Sequence, residues 1–162
     1  MVTTSIDAAA IWNWLGEIPD PEVPVLSIVD LGIVREVRCS EDGEVTVVVT
    51  PTYSGCPAFE VISEEIRRVL AEHGLRFRLE TRLSPPWTTD WMPDAARERL
   101  REYGVAPPAR LISIESATAV NPECPRCHST DTEVLSQFGS TPCKALYRCR
   151  TCLEPFDVFK RH

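Results

Sequence analysis

The chain has 162 residues, 43% of them hydrophobic and 25% charged, which suits one domain of ordinary size plus a small appendage. Its net charge of −7 is uneven, because residues 1–80 carry 14 acidic and 6 basic side chains while residues 81–162 carry 10 and 11. The chain shows no clustered basic footprint, no apolar run near the length of a membrane span and no basic, apolar leader, so we expect a cytoplasmic protein that binds neither nucleic acid nor membrane.

The first elements in chain order are a helix and a β-hairpin. Apolar positions at helical spacing predict an amphipathic helix over residues 5–15, and three prolines then favour an extended, irregular path over residues 18–25. Two strands are predicted over residues 33–39 and 44–50, because Glu41-Asp42-Gly43 has the composition of a turn between them.

A helix and a one-sided strand follow the hairpin. The helix is predicted over residues 57–73, and the strand over residues 75–83 alternates apolar with charged side chains, as in a sheet that helices cover on one face. The order helix, strand, strand, helix, strand predicts a two-layer α+β domain with a three-stranded sheet over residues 1–104. The third strand runs parallel to the second if these two are neighbours, or antiparallel to the first if it pairs there.

The remaining chain is predicted to contain an aromatic loop, a helix over residues 94–103, a linker over residues 105–120 and a cysteine-rich domain over residues 121–162. Trp87 and Trp91 in the aromatic loop are interpreted as core anchors, with a partner-binding surface as the alternative.

Four cysteines near the end of the chain predict a metal site. They form two Cys-x-x-Cys pairs, Cys124 with Cys127 and Cys149 with Cys152, separated by 21 residues. Two such turns supply the four ligands of a tetrahedral ion, for which structural zinc is preferred. A single iron or iron–sulfur centre, or disulfides and free thiols, are the alternatives. Because a four-sulfur shell is closed, zinc here would hold the tail folded without catalysing a reaction.

Two further residues of this region stand outside that set. Cys143 lies too far along the chain to share the second turn, so it is predicted to be an additional thiol close to the ribbon, or a contributor to a partner or transient metal site. His128 follows Cys127 directly and is interpreted as a donor to a ligand or as a substitute ligand.

Cys56 is the informative residue of the first domain. It precedes Pro57, and because proline favours the first position of a helix, Cys56 is predicted to be the N-cap. Its sulfur would then face the free amides of Ala58 and Phe59 and the positive end of the helix dipole, which favours the thiolate. The alternative is a small buried hydrophobic residue. Cys39, at the end of a strand, is interpreted as structural.

Carboxylates mark the proline-rich segment. Asp20 and Glu22 flank Pro21, and Asp30 follows before the first strand. Such groups can ligate a hard metal or position a proton, and they can equally cap a helix or face water.

Two sets of motifs resemble known families. Residues 20–34, together with Thr50-Pro51-Thr52-Tyr53-Ser54-Gly55-Cys56-Pro57-Ala58, resemble the iron–sulfur assembly domain family that includes the SufT-like proteins. The Pro86-Trp87 to Trp91 segment, the two Cys-x-x-Cys pairs and the residues between the pairs resemble the PaaD family, the D components of bacterial phenylacetyl-CoA epoxidase systems.

The resemblance implies a non-catalytic accessory or maturation protein of aerobic phenylacetate degradation. Its partners would be the di-iron oxygenase, the flavin and iron–sulfur reductase, or both, and a homodimer is compatible with that role. Cys56, Asp20 and Glu22 match the positions implied to handle transient iron or a cluster. Two other functions remain open: a thiol-dependent enzyme that uses Cys56, and a nucleic-acid-binding zinc-ribbon regulator, which the acidic charge disfavours.

Overall fold

The computed structural model describes residues 7–108 and 121–161, and the chain divides into two compact units, Met1–Met92 and Pro93–His162. In the described residues, no helix has the length and apolar character needed to cross a membrane. The elements of the first unit are α1 (Ala8–Gly16), β1 (Val34–Cys39), β2 (Glu44–Val49), α2 (Ala58–Glu72) and β3 (Arg76–Thr81). Those of the second unit are α3 (Asp94–Tyr103), β4 (Val105–Ala106), β5 (Thr132–Ser136), β6 (Lys144–Cys149) and β7 (Pro155–Phe159).

The first unit contains the predicted two-layer α+β fold with its three-stranded sheet in the order β1-β2-β3. The hairpin is antiparallel, with Val37 opposite Val47, and β3 lies parallel to β2, with Leu79 opposite Val47. Because β3 neighbours β2, the parallel alternative is confirmed. A strand that returns parallel needs a long crossover, which α2 provides.

Apolar residues from two helices and the sheet form the core of this unit. Ile11 and Leu15 of α1, Ile66 and Leu70 of α2 and Val47 of β2 have no exposed surface. Burying a side chain of this size stabilises the fold by about 1.5–3 kcal/mol, so this packing outweighs any single surface contact.

The helix-free face of the sheet is covered by ion pairs. Arg38 contacts Glu80 at 2.8 Å and Glu36 at 3.4 Å, and Arg82 contacts Glu36 at 3.2 Å. Val48 lies between Glu36 and Glu80 in the register and is fully buried. Exposed ion pairs contribute at most about 1 kcal/mol each, so their main effect is to shield the apolar Val48 from water with the stems of these long side chains.

The two tryptophans of the aromatic loop hold the turn that precedes β1. The Trp87 Nε1–H donates to the Leu31 carbonyl at 2.8 Å and its side chain is 4% exposed, so Trp87 is a core anchor as predicted. Gly32 has φ +70°, and a Cβ there would lie 3.0 Å from the Trp91 Cβ. The Arg35 guanidinium lies 3.4 Å from the centre of the half-buried Trp91 ring.

Replacing Gly32 with alanine should destabilise the first unit more than the matched replacement of Gly43. Both glycines have positive φ, so both alanines cost about 1–2 kcal/mol, but only position 32 has a neighbour within 4 Å of the new Cβ. The clash with Trp91 should add about 1–3 kcal/mol. All four tryptophans lie in residues 12–91, so urea unfolding followed by tryptophan fluorescence reports this unit, and equal losses in the two variants would contradict the account.

The second unit contains the C-terminal ribbon with a four-stranded sheet in the order β4-β7-β6-β5. Strands β5, β6 and β7 are antiparallel neighbours, and β4 adds to β7 in parallel. A bulge between Val134 and Ser136 interrupts the β5–β6 register at the sheet edge, a common device for limiting edge-to-edge pairing.

The unit boundary differs from the expected one at residue 104. Helix α3 and residues 105–106 of the expected linker belong to the second unit, because β4 pairs with β7 and the Arg97 Nη1 donates to the Pro108 carbonyl at 2.6 Å. Residues 109–120 of the expected linker lie outside the described residues. The two-residue strand that recruits α3 is too short to give a sequence signal of its own.

Candidate functional site

Two loops of the same geometry carry the four clustered cysteines. In the first, the Cys124 N–H donates to the Ser129 carbonyl at 2.9 Å, and in the second the Cys149 N–H donates to the Glu154 carbonyl at 2.9 Å. The residue after the second cysteine of each loop, His128 or Leu153, has φ of 62° or 65°. A left-handed residue lets the chain reverse around the sulfurs, and because neither is glycine, both loops hold a costly conformation.

The loops bring four sulfur atoms around one point. Cys124 Sγ lies 3.7 Å from Cys152 Sγ, Cys127 Sγ lies 3.5 Å from Cys149 Sγ, and all four atoms are within 4.8 Å of one another. A regular tetrahedron with metal–sulfur bonds of about 2.3 Å has edges of about 3.8 Å, which these separations approach. A disulfide needs about 2.05 Å, so the four thiols are unbridged. The donor set fits a tetrahedral thiophilic ion.

The surroundings of the thiols affect their protonation unequally. The Cys152 backbone N–H, 3.5 Å from the Cys149 sulfur, is the main cause that lowers the pKa of Cys149 to about 6. The Ser129 amide lowers the pKa of Cys127, but partial desolvation of the thiol and the neighbouring sulfurs outweigh it and raise that pKa to about 12. Four adjacent thiolates repel one another, so full ionisation requires a cation at the centre.

The ribbon core supports these loops. Cys124 and Cys149 are fully buried and pack in one cluster with Ala106, Phe156 and Tyr147. Cys127 and Cys152 remain accessible to solvent. The metal position therefore lies at the margin of the core, where a bound ion would join both loops to the sheet.

Cys143 and His128 lie outside the four-cysteine cluster. Cys143 is buried, with its sulfur 3.0 Å from the Thr141 Oγ1. His128 Nδ1 lies 2.7 Å from the Glu123 Oε1, so this ring nitrogen faces a carboxylate and not the sulfurs.

Removing one clustered cysteine should cost the protein its tightly bound metal. Structural zinc in small domains contributes about 10–16 kcal/mol, which matches or exceeds the whole stability of a typical domain, so Cys149→Ser should lose one equivalent of metal and yield less soluble protein. Metal analysis of the purified chain checks this, with the exposed Cys39→Ser as the matched control. Full metal content in Cys149→Ser would contradict the assignment.

Cys56 lies in a tight turn before α2. The Cys56 N–H donates to the Tyr53 carbonyl at 3.2 Å, and Gly55 between them has φ of +92°. The side chain is half-buried and, within residues 7–108 and 121–161, no hydrogen bond reaches its sulfur.

The predicted N-cap is displaced by one residue. The cap is Pro57, with φ −66° and ψ −27°, and α2 begins at Ala58. Because Pro57 already has helical torsion angles, the Cys56 backbone carbonyl accepts the Phe59 N–H at 3.1 Å, and the expected contact of the sulfur with the free amides is missing from the described structure. Cys56 still lies at the positive end of the helix.

Asp20 is built into the backbone of the proline-rich segment. It is 5% exposed, and its Oδ1 accepts the N–H of Glu22 at 2.9 Å and of Val23 at 2.8 Å. Glu22 is half-buried. The segment has no helix or strand, as the prolines predict, and the Asp20 side chain supplies the acceptor for two of its backbone amides.

Asp30 closes the second turn of the same segment. Its Oδ2 accepts both the Ser27 N–H and the Ser27 hydroxyl at 2.9 Å, and its own N–H donates to that hydroxyl at 3.0 Å. A bridge between Pro19 and Ser27 joins the two turns. Asp30 therefore has a structural role in the turn.

The structure does not assemble Asp20, Glu22 and Cys56 into a closed ligand set. Among the described residues, the four-cysteine cluster is the only group of three or more Cys, His, Asp or Glu side chains whose ligand atoms all lie within 4.8 Å of one another. Any metal that Cys56 contacts would therefore need further ligands from the metal's own shell or from a partner.

Three functional features were missed from the sequence. No sequence motif marks the contact between His128 and Glu123 or the left-handed backbone at His128 and Leu153. The two left-handed residues do share one feature, since each directly follows a Cys-x-x-Cys pair. The turn-closing role of Asp20 could have been found from its place before a proline, where aspartate commonly accepts backbone amides two or three residues on.

The first unit is a two-layer α+β domain, and the second carries a ribbon whose four clustered cysteines could hold a metal ion. The family described as iron–sulfur cluster assembly protein matches residues 8–74, which contain Asp20, Glu22 and Cys56, and the family described as PaaD zinc beta ribbon domain matches residues 111–160, which contain all four clustered cysteines. An Escherichia coli (strain K12) protein described as a 1,2-phenylacetyl-CoA epoxidase subunit is 52% identical over 151 residues, 93% of this chain and 90% of that protein. The chain belongs to the PaaD family.

Two other relatives share the first unit. The Staphylococcus aureus Fe-S protein maturation auxiliary factor SufT is 40% identical over 75 residues, 45% of this chain and 84% of that protein. The crystal structure of a DUF59 domain from Bacillus anthracis superposes with a TM-score of 0.53 and 26% identity, over 57% of this chain and 89% of that one. The first unit therefore has the DUF59 fold.

Proposed function

We propose that this protein is a non-catalytic accessory factor of a phenylacetyl-CoA epoxidase system, which assists the assembly of an iron or iron–sulfur centre in the oxygenase or reductase component. The single observation that carries the proposal is the pairing, in one chain, of an assembly-type domain with the ribbon of the PaaD family. A relative described as an epoxidase subunit supports the assignment to an epoxidase system. A relative described as an Fe–S protein maturation auxiliary factor supports a role in iron–sulfur assembly. The protein acts in the cytoplasm.

In this proposal the two units have separate metal chemistry. The ribbon holds a resident ion, whereas the first unit handles iron as cargo through Cys56 and the acidic segment Asp20 to Glu22. The geometry supports the division, since a closed four-sulfur shell has no open position for exchange, while Cys56 has a half-buried sulfur on a turn at a helix N-terminus. A single thiolate and a carboxylate bind iron incompletely, which favours its release to a partner.

The resident ion is proposed to be zinc. Cys124, Cys127, Cys149 and Cys152 would hold it, and it would supply the positive charge that lets four thiolates coexist. Protein purified without oxygen should contain one equivalent of zinc and should lose it as the pH falls, because protons compete for the thiolates. Elemental and acid-labile sulfide analysis checks this, and iron with sulfide in place of zinc in the ribbon would overturn the identity of the ion.

Cys56 is the residue whose loss should separate function from folding. Cys56→Ser should leave the zinc content and the unfolding midpoint unchanged, because no hydrogen bond within the described structure depends on its sulfur. It should nevertheless abolish the protein's support of epoxidase activity, because serine is a poor iron ligand.

The test uses cells that lack the parent protein and carry either Cys56→Ser or the matched Cys39→Ser. Growth on phenylacetate and the iron and sulfide content of the purified epoxidase components are measured in both. Equal growth and equal iron content would show that Cys56 has no part in iron handling.

A further inference from the structure

Phe138 is an exposed aromatic residue in the turn between β5 and β6. Its side chain is 69% exposed, and Val134 and Leu135, shortly before it in the chain, are exposed as well. Isolated apolar residues are common on protein surfaces and need no explanation. Three large ones within five positions are less usual, and they indicate a surface that a partner covers.

Hydrogen bonds fix the backbone that carries Phe138. The Phe138 N–H donates to the Ser136 Oγ at 3.2 Å, and the Gly139 N–H donates to the Lys144 carbonyl at 2.8 Å. Gly139 packs closely on the sheet, because a Cβ there would collide with the Asp157 Oδ1 and lie 3.3 Å from the Lys144 Cβ. The exposed ring is therefore presented by a preformed turn, which would lose little backbone freedom when a partner binds.

A lysine without an ion pair lies over one face of this ring. The Lys160 Nζ is 4.2 Å from the centre of the Phe138 ring, and within the described residues this ammonium group makes no ion pair. The carboxylate of the same turn, Asp157, accepts the Ser140 hydroxyl at 2.8 Å. The aromatic face attracts the ammonium group but does not neutralise its charge. The pair thus presents an apolar surface and an uncompensated positive charge side by side.

The pair adjoins a groove within the second unit. This groove has a volume of about 980 Å³, and the residues that line it include Gln137, Ala145, Tyr147, Val158 and Lys160. A single ring buries too little surface for a specific complex, which needs about 1,200–2,000 Å² in total. The groove supplies further apolar surface next to the ring.

We propose that Phe138 and Lys160 form the docking surface for a component of the epoxidase system. The matching surface of that component would offer an apolar pocket to the ring and a carboxylate to the ammonium group, because aromatic anchors carry much of the energy of an interface and opposite charges steer partners together. This inference rests on the proposed function for the identity of the partner. It gives the ribbon a role of its own, which is to hold the partner while the first unit handles iron.

A second copy of this chain fits the surface less well. A two-fold symmetric contact places the same patch of both subunits together. It would bring two Lys160 ammonium groups close to each other without a counter-charge, and like charges across an interface disfavour binding. The charge of the surface therefore favours a partner that supplies carboxylates.

Matched variants separate docking from folding. Phe138→Ser removes the ring, with Tyr103→Ser as the control, because Tyr103 is an aromatic residue of the same unit that is 56% exposed. Lys160→Glu reverses the charge, with Arg67→Glu as the control, because Arg67 is exposed and makes no ion pair in the described part of the chain. Both reversals change the net charge equally. All four side chains lie at the surface, so the variants should keep the metal content and unfolding midpoint of the parent.

The measurement is calorimetric titration of the full, metal-loaded chain into the purified oxygenase and reductase components, without added iron. One component should bind the parent. Phe138→Ser should weaken that binding about 30-fold or more, as for the central residue of an interface, and Tyr103→Ser less than about twofold. Lys160→Glu should weaken it about 10-fold, more than Arg67→Glu, and the difference between these two should shrink at high salt.

The docking surface would be overturned if the parent bound neither component, or if Phe138→Ser bound as the parent does or lost no more than Tyr103→Ser. Sedimentation of the chain alone decides about a second copy, since a dimer that only Phe138→Ser dissociates would overturn the epoxidase component as the occupant. These results need no iron transfer. If a component binds through this surface but regains its iron centre no faster with the protein than without it, the proposed function fails and the docking surface stands.

Discussion

Repulsion among four thiolates is the constraint on which the ribbon depends. The sulfurs of Cys124, Cys127, Cys149 and Cys152 lie within 4.8 Å of one another, and their surroundings lower the pKa of Cys149 but raise the pKa of Cys127. A cation at the centre removes this conflict. The small sheet, the two loops and their left-handed residues can then form one folded unit.

A closed shell of four sulfurs also makes the ribbon unsuited to the proposed transfer of iron. If an ion stabilises the ribbon this strongly, its loss would unfold the unit, and the proposed exchange of iron would have to take place elsewhere in the chain. The first unit is organised differently. Its sheet and helices have an apolar core of their own, and the loops before β1 and α2 present polar groups on that rigid support, where functional residues are commonly found.

Much of the first unit follows from sequence periodicity. The hairpin and α2 have strong apolar patterns, and the turn at Glu41-Asp42-Gly43 fixes the register of β1 and β2, so these elements could be predicted within a few residues. The four-cysteine cluster could be predicted for a different reason, because a Cys-x-x-Cys turn fixes its local geometry.

The features that could not be predicted depend on single contacts. The expected capping contact of the Cys56 sulfur is missing from the described structure, and the Cys56 backbone carbonyl accepts the Phe59 N–H instead. Helix α3 joined the ribbon through a two-residue strand. The role of Asp20 depends on which of its neighbours turn their amides inward, and periodicity carries no such information.

We propose above all that this protein assists the assembly of an iron or iron–sulfur centre in an epoxidase component. The most direct test is reconstitution of the iron-depleted oxygenase and reductase, each with ferrous iron, sulfide and a thiol reductant, in the presence and absence of the zinc-loaded full chain under anaerobic conditions. The account predicts that one component regains its iron centre faster and more completely with the protein than with an equal concentration of its Cys56→Ser variant. Identical rates and yields for both components, with and without the protein, would contradict it.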